Sequence, residues 1–329
     1  GVDAIEGTGD TVVRDDGYSR TLDFSNTLIT GVQEIDAGGG DDTVTTSNLS
    51  ALTIRGGSGN DTFHSGAADV TFLYAGANNG NDSFATNGNG HSVAKAEAAG
   101  TVIGVAGYNN GVDAIEGAGD TIIRDDGYSR TLNFANTTLT GIAEIDAGGG
   151  DDTITTSNLS VLTIRGGSGN DTFHSGAADV TFLYAGTNNG NDSFATNGAG
   201  RSVAKAEGAG TVIGVAGFNN GVDAIEGAGD TIVRDDGYSR TLNFANTTLT
   251  GIAEIDAGGG DDTITTSNLS VLTIRGGSGN DTFHSGAADV TFLYAGTNNG
   301  NDSFATNGAG RSVAKAEGAG TVIGVAGFN

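Results

Sequence analysis

The sequence predicts an all-β fold: a right-handed parallel β-solenoid of the β-roll or β-helix kind, with about 18–21 residues per coil, close to two nonapeptides, and about six coils in each repeat. Three observations predict it. One segment recurs three times without linkers, a shorter period of glycine-rich turns runs inside each copy, and proline is missing from a chain full of short β-like apolar runs.

Gly1, Gly111 and Gly221 open the same phrase, GVDAIEG, and divide the chain into copies at 1–110, 111–220 and 221–329. The second and third copies differ only at Ile123 and Val233, while the first differs from the second at 16 positions. Self-similarity at a fixed period marks an array whose units bury their faces against their neighbours, so one continuous solenoid is expected. The chain stops one residue short of a full third copy and reads as a slice of a longer array.

Composition narrows the class. The 329 residues include 59 Gly and no Pro, Cys, Met or Trp. Ordinary usage of about 5% would give roughly sixteen prolines. Proline cannot donate to a β ladder, so a chain that is ladder almost throughout excludes it. Collagen needs proline and a Gly at every third position. Disorder fits poorly with Val, Ile, Leu, Phe and Tyr at fixed places in short runs. Without cysteine there is neither disulfide nor thiolate-bound zinc. Forty acidic against 14 basic residues give a formal charge of -26, which argues against nucleic acid and anionic membranes as partners and for cations bound as part of the structure. No apolar run approaches the roughly 20 residues of a membrane span.

Within the first copy the turns come in order. AGGGDDTV (Ala37 to Val44), GGSGNDTF (Gly56 to Phe63) and ANNGNDSF (Ala77 to Phe84) each run from small residues to an acid, a hydroxyl residue and an apolar residue. Their acids, Asp42, Asp61 and Asp82, follow one another at nearly even steps. Two more steps of the same size reach Thr101, with Ile103 in the apolar slot, and Asp120, with Ile122. Two shorter turns would fill the stretch from there to Asp152. Small polar turns near Asn48, Asp69, Asn89 and Asn109 should line the opposite side, with LTIR before Gly56 and VTFLY after Asp69 as joining strands. VAKAEAAG (Val93 to Gly100) is helix-friendly but too short for a helix, and it lies in register with the strands. The core would be a thin file of Val44, Ile54, Phe63, Phe72, Phe84, Val93, Ile103, Val112 and Ile115 with their equivalents.

GGSGNDTFH, at Gly56, Gly166 and Gly276, matches the nonapeptide G-G-x-G-x-D-x-(apolar)-x at every defined position. It resembles the calcium-binding repeats of the RTX (repeats-in-toxin, haemolysin-type) family. AGGGDDTVT departs at Ala37, ANNGNDSFA has lost the first glycine pair but keeps Gly80, and EGTGDTV (Glu6 to Val12) is one residue short. The resemblance implies Ca²⁺ held between the glycine turns of consecutive coils by backbone carbonyls and the motif aspartate. The implied ligands are Asp42, Asp61, Asp82, Asp152, Asp171, Asp192, Asp262, Asp281 and Asp302. They come with turns built on Gly38, Gly40, Gly57, Gly59, Gly80, Gly167, Gly169, Gly277 and Gly279, and with Asp10, Asp120 and Asp230 from EGTGDTV and its counterparts. Elementary physics points the same way. Glycine tolerates the positive-φ turns that aim carbonyls inward, and Ca²⁺ prefers six to eight oxygens. Carboxylates about 5–10 Å apart repel by roughly 0.4–3 kcal/mol at an effective dielectric of 20–80, and a cation between them reverses the sign.

Other candidates read as surface. Asp15, Asp16, Gly17, Tyr18, Ser19 and Arg20 make a polar turn with a local Asp–Arg pair, because adjacent strand residues face opposite ways. His64, His174 and His284 follow the apolar slot and should point outward, and His91 is replaced by Arg201 and Arg311. No nucleophile–base, phosphate-loop or zinc constellation occurs at usable spacing, so no enzyme is expected. The resemblance implies a secreted, cell-surface protein of a Gram-negative-type bacterium, folding outside the cell where calcium is plentiful. The function expected is structural: a calcium-stabilised segment of an extracellular filament, sheath or adhesin stalk, with further copies of the same repeat as its partners. The alternatives are an adhesin module binding carbohydrate, an extracellular surface or ice, and a non-catalytic module of a secreted polysaccharide-active enzyme. The Thr-x-Thr file that ice binding wants breaks at Thr62-Phe63-His64.

Overall fold

The computed structural model describes residues 1–86, 89–196, 199–306 and 309–328. All regular structure in it is strand, and no helix occurs among the described residues. Chain contacts divide it into two compact units. One holds Gly1–Gly149, Thr153–Arg165 and Gly176–Ala178; the other holds Gly150–Asp152, Gly166–Ser175 and Asp179–Asn329.

In the first unit the chain runs through β1 (Ala4–Arg14), β2 (Thr21–Asp23), β3 (Leu28–Asp36), β4 (Thr43–Thr45), β5 (Leu52–Arg55), β6 (Thr62–Ser65), β7 (Val70–Tyr74), β8 (Ser83–Thr86), β9 (Ser92–Ala96), β10 (Val102–Val105), β11 (Tyr108–Asn109) and β12 (Ala114–Asp125). Every pairing is parallel and joins one coil to the next. On one face β1, β3, β5, β7, β9 and β12 stack with Ala4 beside Leu28, Ile35 beside Ile54, Leu52 beside Val70, Val70 beside Ser92 and Val93 beside Ala114. On the other face Thr21, Thr43, Thr62 and Ser83 lie in one row across β2, β4, β6 and β8. Tight stacking of short strands through both faces is the parallel β-solenoid expected from the sequence.

The coil count is five per copy, not six, because five steps carry β1 to its counterpart β12. Coils are also less even than expected: the step from Ala4 to Leu28 is clearly longer than the one from Leu52 to Val70. The reason is a glycine excursion inside the long strands. Between Glu116, paired with Thr140, and Thr121, paired with Ile142, four residues of β12 face the single Gly141. β9 and β10 pair with the two halves of β12 on either side of that excursion, so they belong to one coil, and Thr101 opens no new turn.

The second unit repeats the pattern. Val180–Tyr184, Ser202–Ala206, Ala224–Asp235, Thr248–Asp256, Leu272–Arg275, Val290–Tyr294 and Ser312–Ala316 stack in parallel through the same registers.

The interior is the thin apolar file foreseen. Val44, Ile54, Phe63, Phe72, Val93, Ile103, Val112 and Ile115 are buried, and Phe84 is half-buried. Phe63 stacks on Phe84 at 5.6 Å between ring centroids and meets Phe72 at 4.5 Å, a spacing at which aromatic pairs add about 0.5–1.5 kcal/mol beyond burial. Neighbouring coils supply the cover. Val112 is 2% exposed, but its counterpart Val2, with no coil before it in this chain, is 61% exposed; Ile103 is 0% exposed and Ile323 is 36% exposed. A coil alone leaves its core wet, so stability is a sum over neighbours.

Candidate metal centre

The three acid-bearing turns of the first copy connect the end of one sheet strand to the start of the next, and their glycines adopt conformations other residues avoid. Gly57 has φ +99° and Gly80 has φ +82°. A Cβ on Gly57 would land on the carbonyl oxygen of Gly38, and one on Gly80 on that of Gly59. Only glycine lets backbones of successive coils approach so closely. Positive φ also holds at the other turn glycines implied by the resemblance: Gly38, Gly40, Gly59, Gly167, Gly169, Gly277 and Gly279.

This stacking brings the acids into a buried ladder. Asp42, Asp61 and Asp82 are each 1% exposed. Oδ1 of Asp42 accepts the Arg20 N–H at 2.7 Å, Oδ1 of Asp61 accepts the Asp42 N–H at 2.9 Å, and Oδ1 of Asp82 accepts the Asp61 N–H at 2.9 Å. A second, exposed ladder runs beside it with the opposite polarity. The Asn60 N–H donates back to Oδ1 of Asp41 at 2.8 Å, and the Asn81 N–H to Oδ1 of Asn60 at 2.8 Å. The two side-chain ladders thus add one bond in each direction to the main-chain bonds between neighbouring turns, such as the Gly40 N–H to the Ser58 carbonyl at 2.8 Å. The later copies repeat both ladders: Asp171 and Asp281 accept from Asp152 and Asp262 at 2.9 Å, and Asp192 and Asp302 accept from Asp171 and Asp281 at 2.9 Å.

The other carboxylate oxygen decides the chemistry. Oδ2 of Asp42, Asp61, Asp171, Asp262 and Asp281 is buried and has no hydrogen-bond partner. Leaving a buried charge uncompensated is costly, and the pKa of each of these acids is raised accordingly. Burial pushes Asp61 up to about 7, with Asp42 and Asp41 adding like charge, and pushes Asp262 up to about 7 and Asp171 and Asp281 up to about 6. Burial also raises Asp42. Among the described residues no three His, Cys, Asp or Glu side chains converge. A cation at these turns would be held by the open Oδ2 atoms of Asp42, Asp61, Asp171, Asp262 and Asp281 together with main-chain carbonyls. An all-oxygen set of this kind suits Ca²⁺.

Comparison with known proteins agrees at the same turns. The family model described as RTX calcium-binding nonapeptide repeat matches residues 53–71, 163–181 and 273–291. The chain carries RTX repeats. RTX nonapeptide repeats bind calcium ions, so calcium is the cofactor of this solenoid. No curated protein matches the chain, and no solved structure does.

Two groups of residues implied by the resemblance stand differently from Asp42 and Asp61. Asp82, at the degenerate RTX turn ANNGNDSF, has no open oxygen: Tyr74 donates its hydroxyl to Oδ2 at 2.7 Å, as Tyr184 does to Asp192 and Tyr294 to Asp302. Burial still pushes Asp82 and Asp192 up to about 8 and raises Asp302. Asp10, Asp120 and Asp230 do not reach the ladder at all. They are exposed and sit in the glycine excursions of the long strands, where Asp120 and Asp230 take φ +49°. EGTGDTV is one residue short of the motif because it is a strand bulge rather than a turn.

The polar turn at Asp15–Arg20 does contain the expected local pair, Arg20 to Asp16 at 2.7 Å. It also stacks directly beneath AGGGDD, since Thr21 pairs with Thr43. His64 is half-buried in the outward row of β6. Of the opposite-side turns, Asn48 accepts from the Ala67 N–H at 2.9 Å, while Asn87 and Gly88 of TNGNG lie outside the described residues.

Proposed function

We propose that this chain is a structural, calcium-conditional segment of a secreted protein: a stretch of filament, sheath or adhesin stalk at the surface of a Gram-negative-type bacterium. The observation that carries the reading is the buried carboxylate oxygen left without a partner at successive glycine turns. Without a cation those oxygens oppose stacking; with one they hold the turns together. Extracellular calcium modules bind at about 10⁻⁴–10⁻³ M, so a chain of this kind stays loose in a calcium-poor cytoplasm and folds after export. Three near-identical copies fit a part that supplies length. Further copies of the same repeat are the partners this reading expects.

Thermal melts of the chain in calcium and after chelator treatment test the first half of the reading. A large rise in melting temperature with calcium is expected, and equal melting points would remove the metal from the account. Electron microscopy of the calcium form at high protein concentration tests the second half, where isolated monomers would count against self-assembly.

A further inference from the structure

We propose that Asp125 and Asp235 each hold an additional divalent cation at the seam where one repeat meets the next, outside the nonapeptides. The inference rests on the calcium reading for the identity of the ion, while its location comes from separate residues.

β10 closes the last coil of the first copy at Val105, which pairs with Asp125 at the end of β12. After these strands the chain turns through Ala106 and Gly107 in one coil and through Asp125–Arg130 in the next. The Asp125 carboxylate spans the gap between the two turns: Oδ1 accepts the Gly107 N–H at 2.7 Å. Asp125 is 4% exposed, and its Oδ2 is buried with no hydrogen-bond partner. Asp235 repeats every feature, with Oδ1 on the Gly217 N–H at 2.7 Å, 4% exposure and an unpartnered Oδ2. This is the division of labour found at Asp61, where one oxygen takes an N–H of the preceding coil and the other is left open.

The nearby cation is engaged with the other acid of the turn. Arg130 pairs with Asp126, whose Oδ1 also takes the Tyr128 N–H at 3.2 Å. Asp82, two coils earlier, satisfies its second oxygen with Tyr74; Oδ2 of Asp125 has no such donor. A buried carboxylate oxygen without a hydrogen-bond donor is the ligand a hard cation completes. Asp15, the counterpart in the first copy, is an internal control. Its Oδ2 is likewise unpartnered, but the residue is only half-buried, and among the described residues no N–H of an earlier coil reaches it. It lacks the preceding turn that would form the other wall of the site.

Calcium titration by calorimetry of the full chain against an Asp125→Asn/Asp235→Asn double variant tests the assignment. Asparagine keeps the acceptor for Gly107 and Gly217 and removes the charge. The double variant should bind two fewer calcium ions than the parent chain, and Asp15→Asn should bind as many as the parent. Unchanged stoichiometry in the double variant overturns the seam sites, as does the loss of one ion in Asp15→Asn. If the parent chain binds no calcium, the calcium reading itself fails, a different result. Should the double variant not fold, anomalous scattering from crystals of the unaltered chain grown in calcium decides. A peak beside Asp125 Oδ2 is expected, and peaks confined to the nonapeptide turns overturn the proposal.

Discussion

Tyr74 donates its hydroxyl to Oδ2 of Asp82 at 2.7 Å, eight residues along the chain and inside the core. Burial and the adjacent carboxylate hold the phenol well above its usual range, so it remains a donor. One rung of the acid ladder is thereby closed by a side chain, whereas Asp42 and Asp61 each keep an open oxygen.

Removing that donor should make the rung resemble the others. Tyr184→Phe strands Oδ2 of Asp192 and should destabilise the calcium-free chain by about 1–3 kcal/mol, the cost of an unsatisfied buried acceptor. Urea melts after chelation measure this. Calcium should recover part of the loss, and a variant as stable as the parent without calcium would show that the bond contributes nothing.

The metal-free solenoid should lose stability as pH rises. Burial lifts Asp61 and Asp262 to about 7 and Asp82 and Asp192 to about 8 from an ordinary 3.8. The native state therefore binds more protons than the unfolded chain between about pH 4 and 8, and unfolding free energy falls with pH across that window. Self-repulsion at a charge of -26 acts in the same direction. Melts of calcium-stripped protein should give a higher midpoint at pH 5 than at pH 8. With calcium present the order should reverse, because the cation needs ionised ligands.

Backbone approach at the turns should be unforgiving. In Gly57→Ala the new methyl meets the Gly38 carbonyl at φ +99°. A loss well above the roughly 1–2 kcal/mol of a left-handed alanine alone is expected. Gly76→Ala, at φ +70° with nothing within 4 Å, should lose only that smaller amount. Equal melting shifts would mean that the turns are not in contact.

Phe173→Ala removes a ring that stands 4.5 Å from Phe182 and 5.4 Å from Phe194. Truncating a buried phenylalanine costs about 3–5 kcal/mol, and in an array the damage should stay local. Hydrogen exchange should therefore quicken in the strands beside Phe173 and remain unchanged near Phe63.

Much of this was legible in the residues because the two periods are written in different alphabets. Glycine with an acid marks each turn, and an apolar residue two places after the acid marks the core, which located Asp42, Asp61, Val44 and Phe63 directly. Even VAKAEAAG, despite its helix-friendly composition, forms a strand over Ser92–Ala96 where its register placed it. The coil count was misread because Gly7–Asp10 and its counterparts look like turns but are excursions within one strand, opposite the single Gly31. Two partners were hidden for geometric reasons. Tyr74 reaches Asp82 only because the coil closes on itself, and Asp125 carries its acid before Gly127 rather than after the glycines, so no spacing rule marks it. The acid pair in DDGYSR reads as a local ion pair, and for Asp126 it is one.

The opposed polarity of the two ladders has a mechanical consequence. Separating residues 41–42 from residues 60–61 breaks one bond donated upward and one donated downward, whichever side is pulled. Loss of either acceptor, Oδ1 of Asp61 or Oδ1 of Asp41, therefore leaves the other bond to keep the two turns in register.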